Sequence, residues 1–150
     1  MTLLSSERQL AWCLGLAGLI PFITGGVLVW LAPLAWQATV INGFVYYSAI
    51  ILSFLGGVHW GSALQVLRPG NKWRLLLAML PSLIAWPALL LNIQAGLWVL
   101  LAGFILVGGY DLSRPGRKGF PSWYFTLRGL LTLIVVLLHI AVLLRLSGGV

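Results

Sequence analysis

Five apolar runs divide the chain: Gln9 to Leu31, Ile41 to Leu67, Trp73 to Leu91, Ala95 to Leu112 and Trp123 to Leu146. Short segments holding prolines, glycines and most of the charge separate them. A helix rises 1.5 Å per residue, so each run spans roughly 27 to 41 Å and is long enough to cross a hydrocarbon core of about 30 Å with some tilt. The pattern predicts an all-α fold, a single domain over residues 1–150 built as a polytopic bundle of five transmembrane helices. The third and fourth runs are joined only by Asn92, Ile93 and Gln94 and form a tight hairpin in this reading. A single helix across both would need about 40 residues, more than any bilayer requires.

Composition agrees with the pattern. Hydrophobic residues make up 61% of the 150 positions and charged residues 7%, against about a quarter charged in soluble domains. The net charge of +7 does not point to nucleic acid, because the basic residues fall in connections between apolar runs. With five crossings, Arg8, Arg68, Lys72, Arg74, Arg114, Arg117, Lys118 and Arg128 lie toward one side, and only Arg145 lies opposite. That asymmetry places the N-terminus in the cytoplasm and the C-terminus in the periplasm. Trp12, Trp73, Trp123 and Tyr124 mark the cytoplasmic boundary and Trp30, Trp36 and Trp98 the other. Trp60 and Trp86 fit neither belt and are expected to pack between helices. The connections around Pro33 to Thr39 and Asn92 to Gln94 carry no charge. The first run passes Pro21 without an A-x-A cleavage site, which reads as a retained helix.

Chemistry-bearing residues are few. Cys13, the single cysteine, excludes an internal disulfide and a cysteine metal site. There is no paired-carboxylate arrangement, no nucleophile beside a base, no H-E-x-x-H and no phosphate loop, so no catalytic residue, metal or cofactor is assigned and the reading leans away from an enzyme. On the second helix Ala49, Ser53, Gly57 and Gly61 recur every four residues and form a small-residue face suited to close helix packing, with Gly56 and His59 roughly opposite. On the fifth, Tyr124, Arg128, Thr132 and His139 share a polar stripe expected to face the bundle. Counting rise per residue from the cytoplasmic ends puts Asp111 near the surface, Arg128 roughly 9 Å deep and His59 roughly 13 Å deep. These three make a candidate intramembrane cluster. Ionisable groups at such depths are expensive unless partnered, which makes them functional candidates. In the plainer alternative, Asp111 and Arg128 clamp two helices while His59 donates to a carbonyl or toward Trp86. His139, roughly 25 Å in, is too far along the axis to share a metal with His59. A faint internal likeness relates Gly56-Gly57-Val58-His59 to Gly108-Gly109-Tyr110-Asp111, each on a helix that follows one with a mid-helix proline, Pro21 or Pro81.

The run Ser53-Phe-Leu-Gly-Gly-Val-His-Trp-Gly61, the segment Leu80-Pro-Ser-Leu-Ile-Ala-Trp86, Asp111 closing the fourth helix, and Trp123-Tyr124 followed by Leu127-Arg128 resemble the transmembrane-protein-69-like family. This group, domain of unknown function 3429, occurs in bacteria and in mitochondria. The resemblance spans nearly the whole chain and implies a multi-helix inner-membrane protein. It carries no catalytic residues over. The lack of an Arg-rich, Ser-rich leader points to a bacterial member in the inner membrane. The expected role is binding: a scaffold or assembly protein with a protein partner or a second copy, or a protein that sequesters a lipid-like molecule. The alternatives are a small carrier or proton-coupled transporter of a lipid-like or anionic molecule, and third, an intramembrane lipid or quinone enzyme. Anionic lipid headgroups are expected partners of the basic loops.

Overall fold

A computed structural model describes residues 2–65, 72–117 and 120–148, all of whose regular structure is helical. Arg68, Lys118 and the expected end of the second helix at Leu67 lie outside the described residues. Six helical segments build five rods: α1 (Thr2–Ala17) and α2 (Ile20–Leu31), then α3 (Leu34–Gln65), α4 (Lys72–Ala88), α5 (Ile93–Leu112) and α6 (Ser122–Ser147). Among the described residues four stretches are long and apolar enough to cross a membrane, with α1 and α2 together counting as one from Ser5 to Leu31. α4, at 17 residues, is about 26 Å long and the shortest rod.

The first run is broken where the sequence suggests one helix. Pro21, in the first turn of α2, offers no N–H to the carbonyl of Ala17, and its ring crowds that carbonyl. The chain responds with a tightened turn in which the Gly18 amide donates to the Leu14 carbonyl and the Leu19 amide to that of Leu16, each at 3.0 Å. The Tyr47 hydroxyl of α3 then donates to the Gly18 carbonyl at 2.9 Å, pinning the break to the bundle.

The second helix begins at Leu34, seven residues before the expected Ile41. Only Ala32 and Pro33 turn the chain, so the anticipated loop through Thr39 is helical. Its polar residues, Gln37 and Thr39, do not interrupt helix because they stand at the exposed end of the rod. α4 stops at Ala88, short of Leu91, because Pro87 removes a helical donor and the chain tightens to Leu89 and Leu90. Asn92 caps α5 by accepting from the Ala95 amide at 2.9 Å. Gly96 permits this tight hairpin, since a Cβ there would lie 2.5 Å from the Ala88 carbonyl oxygen.

α3 is packed against α2, α4 and α5, and α6 lies against α5 and α2, with a lighter contact to α1. The interior is apolar: Phe22, Leu52, Leu97, Leu100 and Val142 are at most 1% exposed. Close approach of α3 to α4 runs through Gly56, where a Cβ would sit 2.7 Å from the Ala78 carbonyl oxygen and 3.3 Å from Pro81. On the small-residue face Ala49 is buried and Ser53 half-buried. Gly57 and Gly61 are exposed, and a Cβ on either meets nothing within 4 Å among the described residues. The expectation for the two unplaced tryptophans fails. Trp60 is 39% and Trp86 67% exposed, because each stands one 100° step along its helix beyond a buried residue, His59 or Ala85.

Candidate functional site

α3, α5 and α6 each bring one ionisable side chain to the same point. The Arg128 guanidinium donates to a single oxygen of Asp111, from Nε at 2.8 Å and from Nη2 at 2.6 Å. The other carboxylate oxygen lies 2.6 Å from His59 Nε2. His59, Asp111 and Arg128 are 9%, 3% and 7% exposed, so Asp111 is a buried bridge between a cation and an imidazole. Since an ionised carboxylate only accepts, His59 Nε2 is the donor in this arrangement, which leaves Nδ1 as the other ring nitrogen. The histidine therefore does not donate to a carbonyl or toward Trp86, the plainer alternative considered above. Asp111 outcompetes both because a charge-assisted hydrogen bond is roughly twice as strong as a neutral one.

Local structure explains the convergence. In Gly56-Gly57-Val58-His59 the first glycine meets α4, and in Gly108-Gly109-Tyr110-Asp111 the first glycine meets α6, where a Cβ would lie 2.6 Å from Thr132. In both segments the residue three positions later, on the neighbouring part of the same face, turns inward. The two glycine contacts thus draw His59 and Asp111 together between their helices. After Asp111 the chain reverses through a compact turn: Ser113 Oγ donates to the Tyr110 carbonyl at 2.6 Å and accepts from the Gly116 amide at 3.2 Å. Gly116 packs directly on the Tyr110 carbonyl, leaving no room for a side chain. The turn returns Phe120 over the site, its ring stacked on Tyr124 at 4.7 Å and edge-on to His59 at 6.2 Å. Tyr110 flanks His59 at 5.0 Å. Neither Phe120 nor Tyr110 is marked in the sequence: Phe120 lies outside the helices and has no periodicity, and Tyr110 is a single aromatic near the end of the apolar α5.

A groove of about 410 Å³ reaches this triad at Arg128. Its walls come from both sides of the α1–α2 break (Leu14, Gly18, Phe22), from α3 (Phe54) and from α6 (Leu131, Val135). Among the described residues Arg128 is its one charged lining residue, with Tyr124, Thr132 and Phe120 beside it. The polar stripe of α6 is thereby split. Tyr124, Arg128 and Thr132 line the groove, whereas His139 lies deeper and fully buried among Phe22, Phe44 and Phe104, with ring centroids 4.9 to 6.0 Å away. His139 Nδ1 donates to the Val135 carbonyl at 2.9 Å, and its Nε2 has no partner among the described residues.

Two smaller clefts reach the triad from other sides. One of about 220 Å³ between α4 and α5 includes His59, Pro81 and Tyr110. The other, about 400 Å³ between α5 and α6, includes Asp111, Arg128 and Gly129. Among the described residues no group of three or more histidine, cysteine, aspartate or glutamate side chains is placed to hold a metal ion.

The pattern of the family described as Protein of unknown function (DUF3429) matches residues 7–144. The chain belongs to this family. It is 39% identical over 127 residues to Transmembrane protein 69 of Xenopus tropicalis, an alignment covering 82% of this chain and 49% of that protein. Transmembrane protein 69 of Mus musculus is 28% identical over 147 residues, covering 95% and 59%. The chain thus spans about half to three-fifths of the length of these curated relatives. No solved structure matches it. Residues 7–144 include every residue of the triad and of the groove lining, so the site belongs to the part of the chain that defines the family. Membership and the apolar helices together make this a multi-pass membrane protein.

Proposed function

We propose that this protein is a membrane-embedded binding protein for a lipid-like amphiphile, held in the groove between α1, α2, α3 and α6. One observation supports the reading above the others: an apolar groove of about 410 Å³ reaches a buried guanidinium, that of Arg128. Small-molecule sites are commonly clefts of roughly 300–1,000 Å³ with apolar walls and a few polar groups that fix orientation. The Asp111–Arg128 pair alone would suffice as a clamp between α5 and α6. A clamp does not require a groove that ends on it. The binding reading also accommodates a scaffold role in which the amphiphile is presented to a partner protein or to a second copy. We place the protein in a bacterial inner membrane, with the end carrying Arg8, Arg74, Arg114 and Arg117 toward the cytoplasm and its anionic headgroups.

Extraction of the full chain into native lipid discs, followed by mass spectrometry of bound lipid, tests the reading. The wild type should retain one amphiphile species in near-stoichiometric amount. Leu14→Trp, which fills the groove from an exposed position, should lose it. Identical lipid profiles for the two proteins would reject the proposal.

A carrier is the second reading. It is favoured by the fact that Arg128 and Thr132 line both the main groove and the α5–α6 cleft, so the site is reached from two sides of α6. It predicts flux in proteoliposomes that scales with the amount of reconstituted protein.

A further inference from the structure

α1 and α2 make one rod in two parts, and the parts are held very differently. In α2 Phe22, Gly26 and Val29 are buried, and so is Leu19 just before it. Gly25 and Gly26 bring α2 close to Phe44 of α3 and Leu138 of α6, where a Cβ would sit 3.1 and 2.9 Å away. In α1 no described side chain from Ser5 to Ala17 is buried. α1 rests on α6 through Gly15, where a Cβ would lie 3.3 Å from both Leu127 and Leu131. In lipid, helices are held together by van der Waals packing and hydrogen bonds, because the tails are as apolar as the side chains. A contact made of one glycine and two leucine side chains is weak there, since acyl chains replace it when it parts.

Between the two parts lies a pivot. Pro21 leaves the Ala17 carbonyl without its helical donor, and the chain tightens through Gly18 and Leu19. The Tyr47 hydroxyl donates to the Gly18 carbonyl at 2.9 Å and so fixes the pivot to α3. Hinges of this kind are a few residues at element ends that absorb a backbone rotation. On the α1 side of the pivot the groove is open: Leu14 of α1 and Phe54 of α3 both line it and are 64% and 63% exposed. Ala11, Leu14 and Gly18 follow one another at spacings of three and four, so α1 turns a single face to the groove.

On the groove reading above, we infer that α1 is a lid, which turns about Gly18 from its place on α6 toward α3, so that Leu14 and Phe54 close over a bound amphiphile. The occupant supplies what favours closure, because its tail is touched by Leu14 from one side and by Phe54 from the other. α2, anchored on α3 and α6, stays in place as the lid moves.

The single cysteine makes the motion testable. Cys13 and Thr126 line one cleft between α1 and α6, so in Thr126→Cys a cleavable bis-maleimide joins the two helices and holds the lid open. The full chain, purified in discs with the lipid it retains, is mixed with vesicles of deuterated total lipid from the same host. It is then recaptured, and the retained species is weighed by native mass spectrometry. With the tether in place the heavy species should replace the light at least tenfold faster than in the same variant blocked with N-ethylmaleimide. Cleaving the tether should restore the slower exchange. Equal rates would overturn the lid. Slower exchange in the tethered protein would mean that the amphiphile leaves by parting α1 from α6, which overturns closure toward α3. A tether that does not form would contradict the α1–α6 contact from which the lid starts. If the unmodified chain retains no lipid species, the groove reading itself fails and the lid with it.

Discussion

Arg128 grips Asp111 by one oxygen only, through Nε at 2.8 Å and Nη2 at 2.6 Å, and so leaves the second oxygen to His59. A bidentate pair using both oxygens would make His59 share its acceptor oxygen with the guanidinium. The one-sided grip lets one carboxylate join three helices, and it leaves part of the guanidinium for the groove.

Removing the carboxylate should be costly. Asp111→Asn leaves Arg128 buried with its countercharge gone, and breaking such a pair from one side costs about 3–5 kcal/mol. Thermal unfolding in detergent should show a large loss for Asp111→Asn and for Arg128→Met singly. The double variant Asp111→Leu with Arg128→Met should recover much of it, since an apolar replacement strands no charge. Additive losses would show that the two side chains do not depend on each other.

Glycine positions should differ sharply within one dipeptide. Gly56→Ala drives a methyl to 2.7 Å from the Ala78 carbonyl oxygen, a backbone atom that cannot move away alone, and should cost about 1–3 kcal/mol. At Gly57 a Cβ meets nothing within 4 Å among the described residues. Gly57→Ala should leave stability unchanged or raise it by up to about 1 kcal/mol through helix propensity. Unfolding curves of the two variants side by side check this, and equal effects would contradict the packing described.

The contrast between these neighbours shows what the sequence could and could not convey. Apolar runs and the placement of charge lead directly to five rods, because membrane thickness fixes helix length and leaves little freedom. Depth counting put His59, Asp111 and Arg128 within reach of one another, since rise per residue is constant along a helix. Which glycine packs is a matter of a 100° rotation per residue, and nothing in an apolar helix distinguishes Gly56 from Gly57 without the neighbour's position. The helix break at Gly18 was marked by Pro21, but its consequence was not. The groove depends on how α1, α3 and α6 diverge, and its lining, Leu14, Phe22, Phe54 and Leu131, looks like any packed helix face. Arg74 reads as a topological charge in the sequence, yet it is 5% exposed in the fold.

His139 should prove dispensable for binding. Its ring fills a space among Phe22, Phe44 and Phe104, and its Nε2 is buried with no partner among the described residues. His139→Leu removes that polar atom at similar volume, so stability should stay level or rise by about 1 kcal/mol. Lipid retention by the purified variant should match the wild type. A lost ligand with an intact fold would place His139 in the site.

Orientation is checked by reporter fusions at each end. The N-terminal fusion should report the cytoplasm and the C-terminal fusion the opposite side, as the charge asymmetry between Arg8 to Arg128 and the lone Arg145 requires. Both ends reporting the same side would mean an even number of crossings.

The claim on which the others depend is that the groove beside Arg128 holds an amphiphile. It is tested most directly by placing a photocrosslinking phenylalanine analogue at Leu14, inside the groove, and separately at Leu76, 71% exposed on α4, and irradiating intact cells. Leu14 should yield one discrete adduct mass and Leu76 the mixed masses of bulk phospholipid. The same mixture at both positions would contradict the account.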